Sequence, residues 1–171
     1  IGGMGFLNAR KGPDLFVEAA RLILDAVSEA RFVWLGEGPD LAELKERSRT
    51  LGIGDRVHFT GLLRNPYPYL KALDFILMTS RDDPFPRVNL EGALFRKPMI
   101  CFAPSGGSRE FAEDDCGMVV PDFDVTAMAA RAIDLARDPA LRARLGENAH
   151  RKVTTLYDVR AVAPVVIEGL E

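Results

Sequence analysis

Cysteine and histidine are nearly absent: two of each occur in 171 residues. Cys101 and Cys116 form no CxxC pair and have no histidine close by in sequence, so neither a disulfide framework nor a thiolate metal site is expected. That usage fits a reduced, cytoplasmic setting. His58 and His150 stand too far apart in sequence to suggest a metal site. Charge of one sign is also scarce. A formal net charge of −3 offers no bulk attraction to nucleic acid or an anionic membrane. Unbroken apolar runs reach only a handful of residues, such as "FILM" (Phe75 to Met78), which excludes a transmembrane helix and a secretory signal as readings of the visible chain. A complete GxGxxG fingerprint is missing too: "GGMGFL", "GEGPDL" and "GIGDRV" each fall short of it.

What is present is a regular alternation. Short apolar runs, "IGGMGFL", "RFVWLG", "RVHFTG", "DFILMTS", "KPMICFA" and "GMVVP", read as strands. Amphipathic stretches separate them, as in repeated βα units. "PDLFVEAARLILDAV" starts with Pro13 in its first turn and carries an apolar stripe on Leu15, Ala19, Leu22 and Ala26. "DLAELKERSRTLG" closes at Gly52, "PYPYLKAL" and "SREFAE" are short, and a further helix runs from about Pro86 to Phe95. After "VVPDFD" the chain is helical: "VTAMAARAIDLARD", "PALRARLGENAHRKVTTL", then a piece from Asp158 that Pro164 is expected to interrupt. No repeat or linker divides it. The expectation is one α/β domain over residues 1–171, a Rossmann-like parallel six-stranded sheet flanked by helices, in strand order 3-2-1-4-5-6. Because "IGGMGFLN" opens on a strand already under way, an excised domain is expected.

In such sheets ligands bind beyond the carboxyl ends of the strands, where helix N-termini offer amide N–H groups to anions. Cations at those positions oppose the helix dipole, by about 0.3–1 kcal/mol each when exposed. Arg10 and Lys11, then Arg87, then Arg109 follow three different strands in this unfavourable position. A bound phosphate removes the conflict, whereas a plainly solvated pair leaves it standing. "DDPFPRVNLEGA" (82–93) adds two carboxylates eight residues apart. On a helix from Pro86, Glu91 shares a face with Val88 and Phe95, with Leu94 beside them. A carboxylate buried there needs donors, and a ribose diol supplies two; an arginine partner at the core edge serves as well. Asp83 falls on the turn, where an ordinary cap accounts for it equally. The loop "SGGSRE" can bring the backbone of Gly106 and Gly107 close to a ligand or make a simple turn.

Together, Lys11-Gly12 after the first strand, "GEGP", "RVHFTG", "DDPFPRVNLEGAL" and "SGGSREFAEDDCGMVV" resemble the C-terminal, donor-binding domain of family 4 GT-B glycosyltransferases. The resemblance runs from about Gly3 to the end, and its most specific element is the acid-x7-acid motif, which in the family is usually two glutamates. It implies a retaining hexosyltransferase of polysaccharide biosynthesis that moves a sugar from a UDP-, GDP- or ADP-sugar to an acceptor hydroxyl. The nucleotide sugar is then the donor substrate, and neither a separate cofactor nor a metal is implied. It assigns Glu91 to the ribose hydroxyls, Asp83 to the donor sugar and Lys11 to the diphosphate. Amides from Pro86 (which has none) through Arg87 to Val88 face the donor, Gly106 and Gly107 line the sugar pocket, and Val57 to Gly61 border the base. Glycan, lipid-linked or other hydroxyl acceptors belong to an N-terminal domain outside this sequence, through which the whole protein could sit peripherally on the inner membrane. The isolated chain is then expected to bind donor weakly and transfer little. Two positions depart from the pattern. Phe6 stands where the family often has an arginine, for which Arg10 is a substitute, and Asp83 reaches roughly 1.5 Å less far than a glutamate. An epimerase on the same scaffold and a non-catalytic nucleotide-binding or interaction domain are the alternative readings.

Overall fold

The structure is a computed structural model that describes residues 1–168. Its centre is one six-stranded sheet: β1 (Gly2–Met4), β2 (Phe32–Leu35), β3 (Val57–Phe59), β4 (Ile76–Met78), β5 (Met99–Phe102) and β6 (Gly117–Val120). All pairings are parallel and the order is β3-β2-β1-β4-β5-β6, as expected. The strands are shorter than their apolar runs, because the residues at each carboxyl end peel away into the loops that build the site.

Side chains alternate across the sheet, as the pleat requires. Phe75, Leu77, Ile100 and Phe102 face one core with Phe32 and Trp34. Ile76, Met78, Met99 and Cys101 face the other with Leu70, Val88 and Phe111. The first core is roofed by α1 (Pro13–Ala26) and α6 (Val125–Arg137), with α2 (Leu41–Thr50) beside α1. The second lies under α3 (Tyr67–Ala72), α4 (Arg87–Leu94), α5 (Gly107–Ala112) and α7 (Pro139–Leu156). Phe16 anchors α1 edge-on against both Trp34, at 5.2 Å between centroids, and Phe32, at 6.0 Å. Helix starts follow capping chemistry: the side chains of Asp124 and Asp138 accept from the amides of Ala127 and Leu141, and Pro139 takes the first position of α7.

Two helical expectations are corrected. Leu15 and Ala19 of the expected α1 stripe are buried, together with Phe16, Val17, Ala20 and Ile23, while Leu22 is 38% exposed and Ala26 is exposed as well. Docking the Phe16 ring against Phe32 and Trp34 shifts the buried face toward Phe16, Ala20 and Ile23, so the second half of the expected stripe turns outward. Near the end, α8 (Val159–Glu168) continues across Pro164 rather than being interrupted there.

Candidate functional site

The site forms where the carboxyl ends of β1, β4 and β5 lie side by side. After β1 the chain makes a 3-10 turn, Ala9–Lys11, capped by the Asn8 side chain, which accepts from the Lys11 amide at 3.1 Å. Gly12 then adopts a left-handed conformation, φ 64°. A Cβ at Gly12 would stand 2.1 Å from the Thr79 carbonyl oxygen, so this loop presses straight onto the end of β4. Thr79 Oγ1 donates to the Lys11 carbonyl at 3.3 Å, and the Arg81 amide donates to the Arg10 carbonyl at 2.8 Å. These bonds fix the loop bearing Lys11 against the loop bearing Asp83.

The consequence is an ion pair between Lys11 and Asp83, 72 residues apart in sequence. Asp83 is only 6% exposed. Ser80 Oγ donates to its Oδ2 at 3.4 Å, and Arg10 Nη1 lies 4.0 Å from Oδ1 while donating to the Asp82 carbonyl at 3.0 Å. The Asp83 backbone is held too. Its amide donates to the Ser105 carbonyl at 3.0 Å, and the residue bridges Gly106 in parallel. Gly106 has φ 95°, and a Cβ there would sit 2.3 Å from the Asp83 carbonyl oxygen. Glycine is required by that approach.

Helix α4 brings in the second acid. Its N-cap is Pro86 in an extended conformation with no side-chain cap, so the amides of Arg87 and Val88 start the helix without an intrahelical partner. The face turned to the core is Val88, Asn89, Gly92 and Ala93; Glu91 lies half-buried at its margin, and Leu94 is exposed. The burial of the two acids is thus the reverse of the expectation from the sequence. Asp83 is the buried carboxylate, because Lys11 and Ser80 supply the donors it needs, and Glu91 is the accessible one. Nor is Asp83 a helix cap.

The cations divide as well. Arg10 and Lys11 close the 3-10 turn, while the first turn of α1 carries Asp14. Arg87 is exposed at the first position of α4. Arg109 pairs with Glu113 at 3.2 Å within its own segment. The Gly107 amide, expected to face a ligand, donates to the Pro84 carbonyl at 3.0 Å; the glycine pair binds the Asp83 loop. Phe6 is 52% exposed, and the Arg10 guanidinium stands beside Lys11 on the Asp82–Asp83 carbonyl and carboxylate. At the neighbouring edge, Gly36 bridges Gly61 and the Thr60 amide donates to the Trp34 carbonyl at 3.0 Å, joining "GEGP" to the 57–61 segment.

Three contributors were not singled out from the sequence. Ser80 supports Asp83. Arg81 grips Asp14 with both terminal nitrogens. Asn89 is fully buried, donates to Ser108 Oγ at 3.2 Å, and leaves Oδ1 without a partner among the described residues. An asparagine inside an apolar helix stripe was the available signal for the last.

The profile of the family "Glycosyl transferases group 1" matches residues 2–152. The lipopolysaccharide core biosynthesis glycosyltransferase LpsD of Rhizobium meliloti is 30% identical over 97% of this chain and 47% of its own length. The chain spans about half the length of that relative. The C-terminal domain of the glycosyl transferase group 1 family protein LpcC from Francisella tularensis superposes with a TM-score of 0.82 at 26% identity, over 92% of this chain and 86% of that one. HepE of Anabaena, solved in complex with UDP, shares the fold with a TM-score of 0.90 at 23% identity, over 99% of this chain and 47% of its own. No helix among the described residues is long and apolar enough to cross a membrane. With a profile match over most of its length and the Rossmann-like half of a GT-B fold, the chain belongs to the glycosyl transferases group 1 family.

Proposed function

We propose that this chain is the C-terminal, donor-binding half of a family 4 retaining glycosyltransferase. Its substrate is a nucleotide diphosphate sugar, and the sugar passes to an acceptor hydroxyl with its anomeric configuration kept. The observation that carries this reading is the meeting of Lys11, Arg10 and Asp83 at the carboxyl edge of β1 and β4, with α4 starting shortly after Asp83 at Arg87. Two cations and the first amides of α4, which have no partner within the helix, form a cradle for a diphosphate, the group whose charge grows as the sugar departs. Glu91, half-buried one helical turn beyond Arg87, is reachable and takes the ribose diol through both carboxylate oxygens. Asp83 and the Gly106–Gly107 backbone then border the sugar. The acceptor site lies in the remaining half of the protein, so this chain alone binds donor weakly and transfers little.

UDP, GDP and ADP, each with its glucose ester, supply the test in a thermal-shift screen. One nucleotide series should raise the melting temperature, since ligand at 100 times Kd adds about 2.7 kcal/mol to stability. The reading fails if none of the six ligands shifts the transition at millimolar concentration.

A further inference from the structure

Asp83 is an unexpected neighbour for a phosphate. It is a buried carboxylate paired with the ammonium that a diphosphate would use, with Arg10 4.0 Å away. Its backbone is fixed on both sides by Ser105 and Gly107, whereas the Lys11 ammonium sits at the end of an intrinsically flexible four-carbon stem. The stem of that lysine runs beside Gly5, where a side chain would crowd it: a Cβ there would lie 3.1 Å from the Lys11 Cδ. A buried charge is tolerated only with its partner present. Carboxylate and phosphate therefore compete for one ammonium.

From this geometry we infer that Asp83 is an internal competitor of the diphosphate: it holds Lys11 before donor binds and weakens the hold on the nucleoside diphosphate left after transfer. The inference rests on the donor reading above. Phosphate chemistry sets its direction. In the donor the terminal phosphate is esterified and each phosphate carries one charge. On transfer the anomeric C–O bond breaks, its electron pair stays on the phosphate oxygen, and the acceptor oxygen bonds to the anomeric carbon. The acceptor's proton passes to the departing phosphate oxygen and then to solvent, because the second phosphate ionisation lies near about 6. Product thus carries one more negative charge than donor, at the end nearest Asp83. A fixed carboxylate repels product more than donor.

Calorimetric titration of wild type, Asp83→Asn, Asp83→Glu, Lys11→Met and the Lys11→Met/Asp83→Asn double variant with UDP, GDP and ADP and their glucose esters decides it. Asp83→Asn should bind the matching diphosphate at least about tenfold more tightly, the scale of one unit charge about 3 Å away at water-like screening. Its affinity for the glucose ester should not rise, because the gain from freeing Lys11 is offset by losing the sugar contact that the donor reading gives Asp83. Asp83→Glu, which keeps the charge, should stay within about threefold of wild type for the diphosphate, well short of that unit-charge effect. Lys11→Met and Asp83→Asn should be non-additive beyond the roughly twofold scatter of independent sites. Asp83→Ser, also uncharged, replaces the amide variant if that one does not fold. Unchanged or weaker diphosphate binding in the uncharged variants, or strict additivity with Lys11→Met, overturns the inference while leaving the donor reading in place. If wild type binds none of the diphosphates, both fall.

Discussion

Arg81 holds Asp14 in a two-pronged grip: Nη1 donates to Oδ1 at 2.8 Å and Nη2 to Oδ2 at 2.6 Å. The same Nη1 donates to the Ala9 carbonyl at 2.7 Å, so one guanidinium ties the loop after β4 to the 3-10 turn and the start of α1. This clamp joins the same two loops that carry Lys11 and Asp83.

Removing the clamp should be felt in stability, and the effect should depend on pH. Burial alone would raise the Asp14 pKa; the hydrogen bonds and charge of Arg81 outweigh it and hold the carboxyl below its ordinary 3.8. A depressed carboxylate stabilises the fold fully above its ordinary value and ceases to do so as pH falls through the lower folded one. Arg81→Met should therefore destabilise by about 1 kcal/mol at pH 7, a two-pronged pair discounted for its one-third exposure. Denaturant melts at pH 7 and pH 2.5 check this. A gap between variant and wild type that is as large at pH 2.5 as at pH 7 rules out the ion pair as its source.

Gly106 and Gly52 separate two reasons for a glycine. Both have positive φ, 95° and 72°, but a Cβ at Gly52 meets nothing within 4 Å, whereas at Gly106 it runs into the Asp83 carbonyl. Gly52→Ala should cost about 1 kcal/mol for the left-handed backbone alone, and Gly106→Ala clearly more, roughly 2–4 kcal/mol. Equal losses in urea melts would mean that the contact between the Gly106 and Asp83 loops is not rigid.

Both thiols should be silent in the native protein. Burial pushes Cys101 up to about 12 and raises Cys116, so neither forms thiolate at pH 8. Ellman's reagent should find no reactive thiol in buffer and two per chain in guanidinium. Rapid native labelling of either cysteine contradicts the packing of β5 or of the turn before β6.

Much of the fold was legible because its signals are local. Alternating apolar residues mark each strand, and the α7 boundaries, Pro139 and Leu156, coincide with those read from "PALRARLGENAHRKVTTL". The strand order follows from handedness once the βα units are recognised. The α1 stripe was misjudged because Phe16 is placed by Phe32 and Trp34, which lie outside the helix. At the site, residue types and chain positions were readable but contacts were not. The spacing of Asp83 and Glu91 says nothing about Lys11, which reaches Asp83 only because Gly12 lets the first loop touch β4. Burial of the two acids was inverted for the same reason: partners across the sheet edge decide which carboxylate the interior accepts.

Glu91 and Lys11 should report on different parts of a nucleotide. Glu91 is half-buried, and if it takes the ribose diol as proposed, Glu91→Gln, which keeps the shape but removes the charge, should weaken nucleoside, nucleoside diphosphate and nucleotide sugar alike. The expected loss is roughly 1.5–3 kcal/mol, the range for a hydrogen bond to a charged group. Lys11→Ala should weaken the diphosphate and the nucleotide sugar by a similar amount and leave the nucleoside unaffected. Its penalty should also shrink with added salt, since part of it is screened charge attraction. Arg10→Ala should follow Lys11→Ala in kind if Arg10 compensates for Phe6, its guanidinium standing beside the same carboxylate. Titration of the three variants with uridine, UDP and UDP-glucose, or the series that the thermal screen selects, separates the roles. A Glu91→Gln variant that loses affinity only for phosphorylated ligands would take Glu91 off the ribose, and a Lys11→Ala variant that loses affinity for uridine would take Lys11 off the diphosphate.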